Sequence, residues 1–201
     1  GVPVEITSES LLLPERRFAI PRIRRPLEID GVLGEWGALP LVVDSPVQVD
    51  EPELHAGPED ASFRLGLGWD EQWLYLAVDA VDDALVLSAE KTWREQDHLA
   101  FNIDARPDPA RSLNESTDAA LTNGSLRAML LPNAAPVEPE LDPITKLFLG
   151  GLPEGTRMVS QRSARGYTAE LAIPSAALDK LAGKRWSELR INVSQYDFDP
   201  G

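Results

Sequence analysis

Ala61-Ser62-Phe63-Arg64-Leu65-Gly66-Leu67-Gly68-Trp69-Asp70-Glu71-Gln72-Trp73-Leu74-Tyr75-Leu76-Ala77-Val78-Asp79-Ala80 is the stretch on which the fold turns. In residues 61–68, Ala61, Phe63, Leu65 and Leu67 alternate with Ser62, Arg64, Gly66 and Gly68. That period of two belongs to a strand with one buried face. Trp69-Asp70-Glu71-Gln72 is a short polar turn, and residues 73–80 form a second strand, apolar on both faces as a central strand must be. Two such strands around one turn predict an antiparallel hairpin.

The same alternation recurs downstream. Residues 98–104 set Leu99, Phe101 and Ile103 against His98, Ala100 and Asn102. Residues 125–131 set Leu126, Ala128 and Leu130 against Arg127 and Met129, and residues 167–173 alternate likewise. In 189–195, Ile191 and Val193 oppose Arg190, Asn192 and Ser194. Residues 107–122 and the proline-rich 132–143 are long polar loops, and one short helix is predicted at 175–181, where Pro174 and Ser175 give a start signal. Strands spaced by turns, with one or two short helices, predict an all-β fold: a single antiparallel β-sandwich of jelly-roll or immunoglobulin-like type over residues 27–201. Residues 1–26, with five arginines between 16 and 25 and prolines at 3, 14, 21 and 26, make a basic, extended lead-in: a linker, or an edge segment laid against the sandwich.

Composition narrows the chemistry. The chain has 201 residues, enough for a sizeable core, and a hydrophobic content of 43% that argues against general disorder. Its net charge of −14 repels phosphate backbones, so no nucleic-acid partner is expected. Such a surface concentrates divalent cations instead. The absence of cysteine excludes disulfides, thiolate catalysis and cysteine metal sites. No apolar run is long enough to span a bilayer, although a parent protein anchored in a membrane is compatible with the basic lead-in. No signal peptide is visible at Gly1-Val2-Pro3-Val4, and an excised domain is the favoured explanation.

Five segments share an order and spacing. They are Ile29-Asp30-Gly31 leading to Trp36; Trp69-Asp70 with 74–78 and Asp82; Trp93-Arg94-Glu95-Gln96-Asp97 running to Ile103-Asp104; Gly166-Tyr167 through Glu170 to Ile173-Pro174; and Ile191-Asn192-Val193 with Asp197. Together they cover most of residues 27–199 and resemble the family 9 carbohydrate-binding modules. The resemblance implies a sandwich with a ligand-facing sheet, a binding role rather than an enzymatic one, and structural calcium. It places Trp93 as one wall of an aromatic slot for a sugar and Arg127 as a donor to sugar hydroxyls. Two positions depart from the family pattern: Ala100 stands where a carboxylate is expected, and Ser194 where a longer amide side chain is.

Each of these residues also has a structural reading. Trp93 could fold onto the sandwich rim, and Arg127 could be a surface arginine among acids. Asn102 and Ser194 are expected to add lesser polar contacts. His98 is a further candidate on the ligand face, and with Met129 it matches in outline an axial haem pair. Asp82, Asp97 and Asp104, all at strand ends, are the candidate calcium ligands, the alternative being that they cap turns. Asp30-Gly31 and Trp36 look structural, as a turn and a plug for the sandwich end. A glycosidase pair of carboxylates has no spacing to support it, and no Gly-x-Ser-x-Gly elbow occurs.

The expected function is therefore a non-catalytic domain of a larger extracytoplasmic protein, periplasmic or secreted, that binds a carbohydrate or related small ligand. The rival is a periplasmic sensory domain of a membrane signalling protein, such as a sensor histidine kinase, built on the same scaffold.

Overall fold

The structure is a computed structural model that describes residues 17–45, 55–87, 95–107, 125–132 and 152–198. Its strands are β1 (Leu41–Val43), β2 (Ala61–Trp69), β3 (Trp73–Asp82), β4 (His98–Asp104), β5 (Leu126–Leu130), β6 (Arg157–Ser163), β7 (Gly166–Pro174) and β8 (Arg190–Tyr196). One helix, α1 (Ser175–Ala182), follows β7, and a short 3-10 turn covers Leu33–Glu35. A five-stranded sheet runs β1-β2-β3-β7-β6, and a three-stranded sheet runs β5-β4-β8, with every pairing antiparallel. No helix among the described residues is long and apolar enough to cross a membrane.

The inner faces of the two sheets meet in one core. Leu74, Leu76 and Val78 of β3 and Leu171 and Ile173 of β7 pack with Leu99, Phe101 and Ile103 of β4 and Leu126, Ala128 and Leu130 of β5. The alternation predicted for these strands is the alternation observed. The β2–β3 hairpin forms as predicted, with Asp70 closing its turn: the carboxylate accepts the N–H groups of Gln72 and Trp73 at 2.7 and 2.8 Å.

β3 is buried on both faces because the outer face of the large sheet is also covered. Gly66 and Gly68 leave room there. A Cβ on Gly66 would meet Leu39 at 2.5 Å, and one on Gly68 would meet Ile23 at 2.6 Å. Residues 21–23 run alongside the end of β2, where Trp69 N–H donates to the Pro21 carbonyl and Ile23 N–H to the Trp69 carbonyl. Residues 21–23 of the basic lead-in thus lie along the edge of the sandwich.

The Asp30-Gly31 turn, with Gly31 at φ 85°, lies on the same outer face. Fully buried Glu170 of β7 accepts the N–H groups of Asp30 and Gly31 at 3.0 and 2.6 Å and the indole N–H of Trp36 at 2.6 Å. The two motifs that looked structural are therefore joined through one carboxylate. Gly166 opens β7 at φ 141°, where a Cβ would stand 2.4 Å from the Ala80 carbonyl oxygen, so that turn admits only glycine.

Candidate functional site

The three-stranded sheet turns its second face away from the core. Register places Ala100 opposite Ser194, Asn102 opposite Asn192 and His98 opposite Tyr196 across β4 and β8. On the other flank of β4, the backbone of Arg127 pairs with Asn102 and that of Met129 with Ala100. Residues i, i+2 and i+4 of a strand share a face. One face therefore collects His98, Ala100 and Asn102 from β4 with Asn192, Ser194 and Tyr196 from β8. Three of the expected ligand residues, Asn102, Ser194 and His98, come together there, and Arg127 lies in the adjoining register position. Trp93 falls outside the described residues.

These residues differ in what they can offer a ligand. Asn102 and Ser194 are partly exposed, and Asn192 is exposed with its Nδ2 donating to Ser194 Oγ at 3.4 Å. Ala100 is 1% exposed, so the position lacks both a carboxylate and the space for one. His98 departs from a direct ligand role, because it is 1% exposed. Its Nδ1 sits 2.8 Å from the Gln96 carbonyl, and its ring stacks on Tyr196 with centroids 4.4 Å apart and planes 5° apart. The ring of Phe198 lies 6.2 Å away. A haem pair would need the His98 ring turned outward, whereas it is packed between protein groups.

A carboxylate cluster lies just past the paired ends of β4 and β8 that carry His98 and Tyr196. Oxygens of Asp82, Asp97 and Asp197 all lie within 4.8 Å of one another. They arrive from the end of β3, the start of β4 and the residue after β8, so only the folded register brings them together. Asp97 is fully buried, and its Oδ1 accepts the Phe198 N–H at 2.7 Å while its Oδ2 accepts the Val86 N–H. Asp82 accepts the Ala84 N–H at 3.1 Å. The buried Tyr167 hydroxyl has no hydrogen-bond partner among the described residues and senses the charges of all three acids. Burial, then the charges of Asp82, Asp97 and Asp197, raise its pKa well above the usual tyrosine value. Three carboxylates with an orphaned hydroxyl form the all-oxygen donor set that a hard divalent cation takes.

Asp104 does not join them. It lies at the opposite end of β4, where its Oδ1 accepts the Nε–H of Arg106 at 3.0 Å and its Oδ2 the Nη2–H at 2.8 Å. Its carboxylate is committed to a two-pronged ion pair. The third carboxylate of the cluster is Asp197, not Asp104.

A concavity lies elsewhere. With five strands facing three, the sandwich opens between β1–β2 and β8 into a cleft of about 1300 Å³ walled by Leu41, Phe63, Leu65, Trp186, Ile191 and Val193. Its lining is mixed, with Asp179, Arg185 and Glu188 among the apolar groups; it reaches Asn192 of the polar face but does not include the carboxylate cluster.

Two solved structures share this arrangement of sheets. A family 9 carbohydrate-binding module from Caldicellulosiruptor kristjanssonii in complex with cellotriose superposes with a TM-score of 0.55 and 16% identity, covering 90% of this chain and 76% of that one. A family 9 module from the same organism in complex with glucose gives a TM-score of 0.52 and 18% identity, covering 89% and 79%. No protein-family model and no curated protein matches the sequence. At this identity the likeness is one of fold: the chain has a family 9-like antiparallel β-sandwich.

Proposed function

We propose that this chain is a non-catalytic carbohydrate-binding domain of an extracytoplasmic protein, and that it takes its ligand on the outer face of the three-stranded sheet. The observation that carries the reading is the convergence of Asn102, Asn192 and Ser194 on that face, on a scaffold whose structural neighbours hold cellotriose and glucose. In this reading Trp93 stacks on the sugar, Arg127 donates to its hydroxyls, and Asn102 and Ser194 add polar contacts. Calcium at Asp82, Asp97 and Asp197 gives the face rigidity. Three carboxylates with oxygens within 4.8 Å of one another supply donors of the kind a divalent ion takes.

Titration calorimetry with glucose and cellotriose, comparing the parent with Trp93→Ala and Arg127→Ala, tests the reading. Binding by the parent that weakens in both variants is the expected result. A parent that binds neither sugar removes the carbohydrate reading. It would turn attention to the second one, a periplasmic sensory domain whose face takes another ligand, which the loss of a carboxylate at Ala100 favours.

A further inference from the structure

We infer that Tyr196 is an aromatic platform of the binding face, positioned by the carboxylate cluster beside it; this rests on the carbohydrate reading and adds to it a residue and a dependence on the cation. The exposed large apolar side chains among the described residues are Phe18, Val32, Val42 and Tyr196. Of these, only Tyr196 belongs to the three-stranded sheet. Tyr196 is 39% exposed, so part of its ring is open to solvent on this polar face. Its ring is nonetheless held, because one side lies parallel to His98 at 4.4 Å. His98 is itself anchored through Nδ1 at the Gln96 carbonyl.

A ring already fixed in orientation loses little freedom when a ligand stacks on it. Ser194 and Asn192 precede Tyr196 at two-residue intervals on the same strand face and supply hydroxyl and amide groups beside the plate. A flat apolar plate edged by polar groups suits a pyranose with equatorial hydroxyls, whose axial C–H bonds form an apolar face.

The chain order links this plate to the acids. Asp97 immediately precedes His98, Asp197 immediately follows Tyr196, and His98 and Tyr196 are register partners. Both stacked rings therefore stand one residue from a carboxylate of the cluster. A divalent ion that draws Asp97 and Asp197 together fixes the spacing of the two strand ends that carry the rings. Sugar affinity then rises with calcium, and by linkage calcium affinity rises with sugar by the same factor.

The test is calorimetry of the full chain with cellotriose, with calcium present or after chelation, for the parent, Tyr196→Phe, Tyr196→Leu and Tyr196→Ala. Loss of the ring (Leu or Ala) is expected to weaken binding about tenfold while Phe retains it. Chelation is expected to weaken the parent. A parent that binds while Tyr196→Leu binds equally well overturns the platform alone, and equal affinity with and without calcium overturns its link to the cation. A parent that never binds cellotriose fails at the carbohydrate reading and takes the inference with it.

Ring-labelled tyrosine gives a second readout if the alanine variant does not fold. Tyr75 and Tyr167 are buried, so a sugar-induced shift confined to the resonance missing in Tyr196→Phe is expected. A shift in neither state of that resonance counts against the platform.

Discussion

Glu170 accepts the indole N–H of Trp36 at 2.6 Å across 134 residues of sequence, and the same carboxylate holds the backbone of Asp30 and Gly31. The contact ties the outer covering of the large sheet to its interior strand β7. Replacing Glu170 by Ala strands three donors around a buried gap and is expected to destabilise the fold by about 3 kcal/mol. Gln keeps one acceptor and should cost less. Denaturant unfolding of the two variants checks the order, and an alanine variant as stable as the parent would contradict this role.

The same residue predicts a pH dependence. Burial raises the Glu170 pKa above the ordinary glutamate value, and the bonds from Trp36, Gly31 and Asp30 oppose that only in part. A carboxyl with a raised folded pKa contributes stability that is complete below its unfolded pKa, about 4.3, and lost as pH rises through the folded value. The stability of the parent relative to Glu170→Gln should therefore be largest near pH 4 and shrink toward neutrality. A difference that grows toward neutral pH would show the hydrogen bonds outweighing burial.

Calcium should raise the melting temperature, by roughly 5–10 °C at a concentration a hundredfold above the dissociation constant. Asp97→Asn should abolish that response. Asp104→Asn should leave it intact, because that carboxylate serves Arg106 at the other end of β4. Differential scanning calorimetry with calcium and with a chelator separates the two. Equal responses in both variants would place the ion elsewhere.

Ser194 is partly exposed on the face and short by a side-chain length relative to the family pattern. Ser194→Gln is expected to tighten cellotriose binding about two- to tenfold, the worth of one added hydrogen bond. Ala100→Glu should not, because the site is covered and would trap an unpaired charge. Calorimetry on the first variant and a thermal melt on the second measure the contrast.

Strands with a clear two-residue period were legible in the chain, and β2, β3, β4, β7 and β8 lie where the alternation puts them. β6 was not legible, because Arg157–Ser163 is an edge strand with four exposed positions and only a short apolar run. β1 has three residues, too few for a period to show. The carboxylate cluster was half legible. Asp97 precedes and Asp104 ends one seven-residue strand, and at the strand rise they lie about 20 Å apart, so the expectation that both hold one ion conflicts with the strand length itself. Asp197 could be drawn in only by the pairing of β8 with β4, which one-dimensional alternation does not encode. The stacking of His98 on Tyr196 depends on the same pairing.

Among the described residues β8 is bonded to a neighbour along one side only, and the Asp97–Phe198 hydrogen bond lies just past its end. Tension applied at that end would unzip the strand from β4 one rung at a time, with Asp97 as the first latch to give. An ion clamped between Asp97 and Asp197 would strengthen that latch, so the load the domain bears before it begins to peel would follow the calcium level around it.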